Sequence, residues 1–335
     1  MSEVYSQVSA RYGYPSSERL IKVLRRLMSE DDAALTLDLP AQNSDLAAKT
    51  GRSEEQIQRS LDRLYQLGVL SLTSKGYRLS RDIVTLHDGT SSDVRSDSIW
   101  GTELLDLWRD FSENELSPDM GKSLAERTSP IFRVIPVREA IEAGAIVLPC
   151  EDLDVILNEA ARFSLVNCPC RRIARKCDRP TEVCLQMGKA ADYSIKRGTG
   201  REVTREEAKE ALALAAGAGL VHNVPYKREV GELICNCCSD CCMFLHVFVD
   251  YNILEKGMSR SRFEARVDQV SCSGCQDCIE QCQFGAIDMV KSPGEKKLKA
   301  QVDPEKCYGC GVCSVSCQTD SIRLYEVRPP EHIPA

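Results

Sequence analysis

The chain has 335 residues and 37.3 kDa, with 43% apolar and 28% charged residues, which suits a globular protein of two or three domains. A net charge of -7 argues against wholesale wrapping by nucleic acid, and 6% aromatics leave no base-stacking platform. Cysteine is the outlier, with 18 residues and none before position 150. The opening MSEVYSQVSARYGYP shows no basic stretch leading into an apolar one. The longest fully apolar run, 211–221, is too short to cross a bilayer. We therefore expect a soluble cytoplasmic protein without a membrane span, whose thiols serve metals or redox chemistry before disulfides.

Residues 16–82 are expected to form the first domain. Leu20, Ile21, Leu24, Leu27 and Met28 recur at helical spacing. Residues 44–50 give a short second helix closed by Gly51. Ser53 and Gln56 then make a capping box for a helix bearing Ile57, Leu61, Leu64 and Tyr65. Residues 69–72 and 76–79 flank a three-residue turn as two short strands. This order and the run DLAAKTGRSEEQIQRSLDRLYQLGVL resemble a winged helix-turn-helix domain. In that family the third helix reads the major groove through basic and amide side chains. Here Arg52, Arg59 and Arg63 alternate with Glu54, Glu55 and Asp62, and 11 basic residues face 10 acidic ones across 16–82. Phosphate neutralisation supplies most non-specific affinity, so DNA is possible but disfavoured against a docking or structural role.

Residues 83–125 read as a polar connector with one short amphipathic helix over 100–111. Residues 126–258 are expected to form a mostly helical, cysteine-rich domain. Helices are predicted over 151–165, around 185–196, and from a Thr204/Glu207 cap to about Ala216. Cys168, Cys170, Cys177 and Cys184 form one candidate ligand set for a further iron–sulfur cluster. Cys235, Cys237, Cys238, Cys241 and Cys242, five thiols in eight residues, supply alternatives or a second set. Zinc or a reactive dithiol relay is the competing reading. Cys150 is expected to be a buried free thiol, and His222 and His246 to be packed rather than ligating. Arg171 and Arg172 are either a solvated edge or a charge balance for neighbouring thiolates. No P-loop, dinucleotide fingerprint or nucleophile elbow is present.

The strongest pattern closes the chain. Cys272-x2-Cys275-x2-Cys278-x3-Cys282 repeats as Cys307-x2-Cys310-x2-Cys313-x3-Cys317, an offset of 35 that also relates Ile287 to Ile322. Residues 259–326 resemble bacterial two-cluster ferredoxins on this spacing. The resemblance implies one [4Fe-4S] cluster on Cys272, Cys275, Cys278 and Cys317, and another on Cys307, Cys310, Cys313 and Cys282. Gln283 and Gln318 stand where the family usually has proline. Zinc sites pair two C-x2-C knuckles instead, which is not this pattern.

NCPCRR, VCLQMG, VTREEA, GLVHN and ICNCCSDCC, with the motif behind them, make residues 146–326 similar to larger iron–sulfur proteins of anaerobic bacteria and archaea that have no assigned reaction. The expected architecture is α+β and multidomain: winged-helix-like, cysteine-rich and ferredoxin-like parts. The expected function is electron transfer through two [4Fe-4S] clusters, with a third possible in the middle domain, as partner or subunit of a larger redox enzyme. The alternatives are a redox-sensing transcription regulator and a reductase with a substrate-accessible cluster.

Overall fold

A computed structural model describes residues 3–291 and 297–335. It divides into two compact units. The first runs to Pro118 and takes in Asn167–Ala174 and Ile195–Gly200. Helices Glu3–Arg11, Glu18–Leu27, Glu30–Leu37, Asn43–Thr50 and Glu54–Gln66 precede a hairpin of β1 (Leu70–Thr73) and β2 (Gly76–Leu79). Ser17 caps Glu18–Leu27, whose Leu20, Ile21, Val23, Leu24 and Leu27 are buried. The Ser53/Gln56 capping box forms as its spacing requires. Helix Glu30–Leu37, opened by Ser29, was not foreseen, because three acidic residues crowd its first turn and hide its short apolar stripe.

Helices also fill the stretch read as a connector, among them Ile83–Ser91 and Glu103–Phe111. Trp108 and Phe111 are fully buried, and the Trp108 indole N–H donates to Thr90 Oγ1 at 3.0 Å. Arg19 and Arg26 of the second helix pair with Asp110 at 3.1 Å and Glu103 at 2.8 Å. Polar composition concealed this packing, since two large aromatics do the work of a longer apolar stripe.

The second unit comprises Asp119–Val166, Arg175–Ser194 and Arg201–Ala335. Its cysteine-rich part is not mostly helical. It is built on a mixed sheet of β3 (Phe132–Val134), β4 (Phe163–Asn167), β5 (Glu182–Met187), β6 (Gly200–Val203), β7 (Val221–Pro225), β8 (Leu233–Cys237) and β9 (Met258–Ser259). The strand order is β6-β4-β5-β8-β7-β3-β9. β3 pairs parallel to β9, whereas β3–β7, β7–β8 and β5–β8 are antiparallel. Helix Leu153–Glu159 stops before β4, and Gly188–Arg197 starts after β5, so each predicted helix is part strand. In β5 burial alternates residue by residue, with Val183, Leu185 and Met187 buried and Glu182, Cys184 and Gln186 half-buried, the period of a strand and not of a helix. Thr204 and Glu207 cap Arg205–Gly217 as expected. Leu165, Leu185, Val224 and Ile234 of the sheet pack with Ile156, Leu157, Ala208 and Leu212 of the flanking helices.

The duplicated C-terminal segment pairs across its own repeat. β10 (Phe263–Val267) lies antiparallel to β13 (Ile322–Glu326), and β11 (Ile287–Val290) to β12 (Lys299–Val302). It joins the preceding chain within the unit: the Val137 N–H donates to Cys310 O and that of Glu142 to Leu324 O, both at 2.9 Å. Among the described residues no helix is long and apolar enough to cross a membrane.

A buried ion pair ties β10 to the cysteine-rich part. Arg262 Nη1 lies 2.9 Å from Glu151 Oε2, and both side chains are wholly shielded from solvent. Arg262 also meets Glu326 and donates to Arg328 O and Ile146 O. Removing one member of such a pair strands its partner without water. Arg262→Leu is expected to destabilise the protein by about 3–5 kcal/mol, read as a lower denaturant midpoint under anaerobic conditions.

Candidate metal centres

Two cavities lie in the duplicated segment, with nearly equal empty volumes of about 320 and 310 Å³, as an internal repeat requires. Cys282, Cys307, Cys310 and Cys313 line one; Cys272, Cys275, Cys278 and Cys317 line the other. Each ring thus takes three thiols from one motif and the last thiol from the other. Helix Asp277–Gln281 carries Cys282 away from its own triplet, and Val312–Val315 is followed by Cys317 in the same way.

The backbone is shaped for sulfur. N–H groups of Ala286 and Ser321, themselves 35 residues apart, donate to Cys282 Sγ and Cys317 Sγ at 3.3 Å. The Ala265 N–H donates to Cys307 Sγ at 3.5 Å. Gly274 and Gly309 hold left-handed φ of 75° and 65°, and a Cβ on Gly309 would lie 2.1 Å from Phe263 O. Burial pushes the Cys278 thiol up to about 11 and that of Cys310 up to about 12. A cationic metal centre offsets that penalty for these two thiols, and four thiols converging on each cavity fit an iron–sulfur cluster.

The two sites differ in surroundings. Phe284 and Tyr308, stacked at 4.4 Å, help line the Cys307 cavity with Ile287 and Val302, and Cys307, Cys310 and Cys313 are buried. The other cavity meets Gln276, Thr319 and Ser321, and Cys275 is exposed.

The middle cysteines are sorted differently from the sequence expectation. Cys168 and Cys170 fall in the first unit, and Cys177 and Cys184 in the second. Within the second unit Cys177 and Cys184 join different groups. Cys184 lies on β5, and the register Leu185↔Ile234 continued by one residue sets it opposite Cys235 on β8. Cys235 is hydrogen-bonded to Cys184 and Cys237, and Cys242 Sγ donates to Cys237 Sγ at 3.4 Å. Cys242 also caps helix Met243–Asp250. Cys177 instead lies 3.7 Å from Cys241, and these two with Cys238 and Asp240 keep their ligand atoms within 4.8 Å of one another. Hydrogen bonding to Cys238 pushes the Cys241 thiol up. Neighbours Cys237 and Cys238, and likewise Cys241 and Cys242, therefore part into opposite groups. Asp240 was missed, and its place between Cys238 and Cys241 was the available signal.

The remaining singled-out residues are structural. His222 is buried, Nδ1 lies 2.5 Å from Asn236 Oδ1, and desolvation lowers its pKa. His246 faces Asp250 at 3.1 Å. Arg171 and Arg172 are buried rather than a solvated edge, and Arg172 pairs with Asp97 at 2.5 Å. The Cys150 carbonyl accepts from Arg133 at 2.9 Å, and its half-buried thiol is free.

The model of the 4Fe-4S dicluster domain family matches residues 271–321. No curated protein and no solved structure matches the chain. The chain therefore carries a C-terminal ferredoxin-like domain that binds iron–sulfur clusters. Gly309→Ala is expected to cost about half of that domain's iron, the share of one cubane, because Gly309 lines one cavity only and its left-handed backbone lies between Tyr308 and Cys310 of that cavity. Iron and sulfide analysis of the anaerobically purified variant measures this.

Proposed function

We propose that the protein is an intracellular one-electron carrier, working as partner or subunit of a larger redox enzyme. The carrying observation is the pair of four-thiol cavities, each completed by the other motif's last cysteine. Cys272, Cys275, Cys278 and Cys317 hold one [4Fe-4S] cluster, and Cys282, Cys307, Cys310 and Cys313 the other. Bound clusters supply reversible one-electron storage. With four thiolates on each cluster no iron stays open, so these sites pass electrons and do not bind substrate. The exposed Cys275 supports docking of a redox partner on that side.

The chain also sets the order of the two potentials. Reduction adds negative charge, which a fully buried site disfavours and a site with an exposed thiol at Cys275 and nearby Gln276, Thr319 and Ser321 tolerates better. The cluster on Cys272, Cys275, Cys278 and Cys317 is therefore expected to have the higher potential. An EPR-monitored redox titration of full-length protein should resolve two steps that belong to the C-terminal clusters, and Cys317→Ser should remove the higher of these two. Loss of the lower step instead would overturn this order, and stoichiometric zinc without cubanes would overturn the cluster assignment.

A third iron–sulfur centre on Cys184, Cys235, Cys237 and Cys242 completes the reading. The chain of sulfur contacts across β5, β8 and the cap of Met243–Asp250 supports it. Full-length protein should then carry about four irons beyond the first eight. Cys184→Ser with Cys237→Ser should remove that excess alone.

The N-terminal helices and hairpin form a docking or structural element, not an operator reader. Arg59 pairs with Glu55, Arg63 with Asp32, and Arg52 donates to Gln56 O, which occupies the cations a recognition helix would present. Full-length protein is expected to bind duplex DNA no more tightly than the non-specific level of about 10⁻⁴–10⁻⁶ M at physiological salt. Nanomolar binding to one operator, changed by cluster oxidation, would favour the regulator.

A further inference from the structure

We propose that Cys177, Cys238, Asp240 and Cys241 form a single-ion site for a divalent cation of the zinc class, separate from the iron–sulfur centres. The site lies between two loops of the second unit. One leads into β5 and supplies Cys177; the other links β8 to helix Met243–Asp250 and supplies the remaining three ligands.

Distance decides between one ion and a cluster. Zinc–thiolate bonds of about 2.3 Å in a tetrahedron set neighbouring sulfurs about 3.8 Å apart. Cys177 Sγ and Cys241 Sγ lie 3.7 Å apart, and all four ligand atoms stay within 4.8 Å of one another. A cubane places its four thiolates on four different irons, so the width of the cube separates them. These atoms converge on one point.

The carboxylate gives an independent sign. Asp240 Oδ1 is buried and accepts from no N–H or O–H group, its hydrogen-bonding neighbours being the weakly donating thiols of Cys177, Cys238 and Cys241, while Oδ2 accepts from Arg179 Nη1 at 3.0 Å. A buried carboxylate oxygen left with weak thiol donors is poorly satisfied, and a cation among the three adjacent sulfurs satisfies it. Arg179 is itself fixed by its Nε donating to Ala218 O at 3.0 Å. It therefore orients the carboxylate from outside the coordination sphere, as supports of metal ligands do. Three thiolates and a carboxylate carry four negative charges; a divalent ion and Arg179 offset three. A tetrahedral S3O set with a hard oxygen suits zinc.

Metal analysis of anaerobically purified full-length protein tests the proposal, with iron content reporting in parallel on the other centres. About one zinc per chain is expected, and zinc-edge X-ray absorption should show three sulfurs near 2.3 Å and one oxygen near 2.0–2.2 Å. Cys177→Ser with Cys241→Ser should lose the zinc and keep the iron. Arg179→Gln, which removes no ligand, should weaken zinc retention against a chelator by roughly 10–100-fold with iron unchanged. Iron instead of zinc at the site, loss of iron on Arg179→Gln, or a zinc spectrum without the S3O set would overturn the proposal. Absence of iron from the C-terminal domain would sink the electron-carrier reading and leave this one standing.

Discussion

The crossed pairing of β10 with β13 and of β11 with β12 is the constraint on which the two cavities depend. Each half of the repeat is a strand, a cysteine triplet, a short helix with a fourth cysteine, and a second strand. The first strand of one half pairs with the second strand of the other, so Val267 meets Ile322 and Val302 meets Ile287. The last thiol of each motif is thereby carried to the opposite triplet. Neither ring of four closes unless both halves are folded. Gathering four thiols at one point and folding the two halves are therefore coupled.

In the cysteine-rich part, strand periodicity does the sorting. Cys235 and Cys237 stand two apart on β8 and share one face, while Asn236 between them turns to His222. The strand ends at Cys237. Cys238 and Cys241 then face Cys177, and Cys242 returns to Cys237 as the helix cap. Five thiols in eight residues would strain any single centre, since adjacent side chains on extended backbone point apart. Two groups use that divergence instead of opposing it.

Legibility followed the range of the signal. The 35-residue repeat was readable because ligand spacing, glycine positions and strand starts all carry it, and Gly274 and Gly309 indeed hold left-handed backbone. Capping boxes at Ser53 and Thr204 were readable because they span three residues. The seven-stranded sheet was not. Its strands are short, and in β8 the buried positions are Ile234 and the polar Asn236 while Cys235 and Cys237 take the other face, which hides the alternation. The split of Cys177 from Cys184 depends on the β5–β8 register, a long-range pairing that no local spacing encodes.

The departure from proline after the fourth cysteine has a physical reason at one of its two positions. Gln283 is buried, and its Oε1 accepts from both the backbone N–H of Ser239 at 2.8 Å and its hydroxyl at 3.1 Å. Ser239 lies between Cys238 and Asp240, so this side chain joins the turn after Cys282 to the loop that carries three of the four ligands around Asp240. Proline would stiffen the turn but has no oxygen on its side chain to receive the Ser239 donors. Gln318, the equivalent in the second half, is exposed and reaches only Asp277 at 3.4 Å. The repeat is symmetric where it gathers thiols and asymmetric where one half meets the cysteine-rich part, because only there does a buried polar pair need an acceptor.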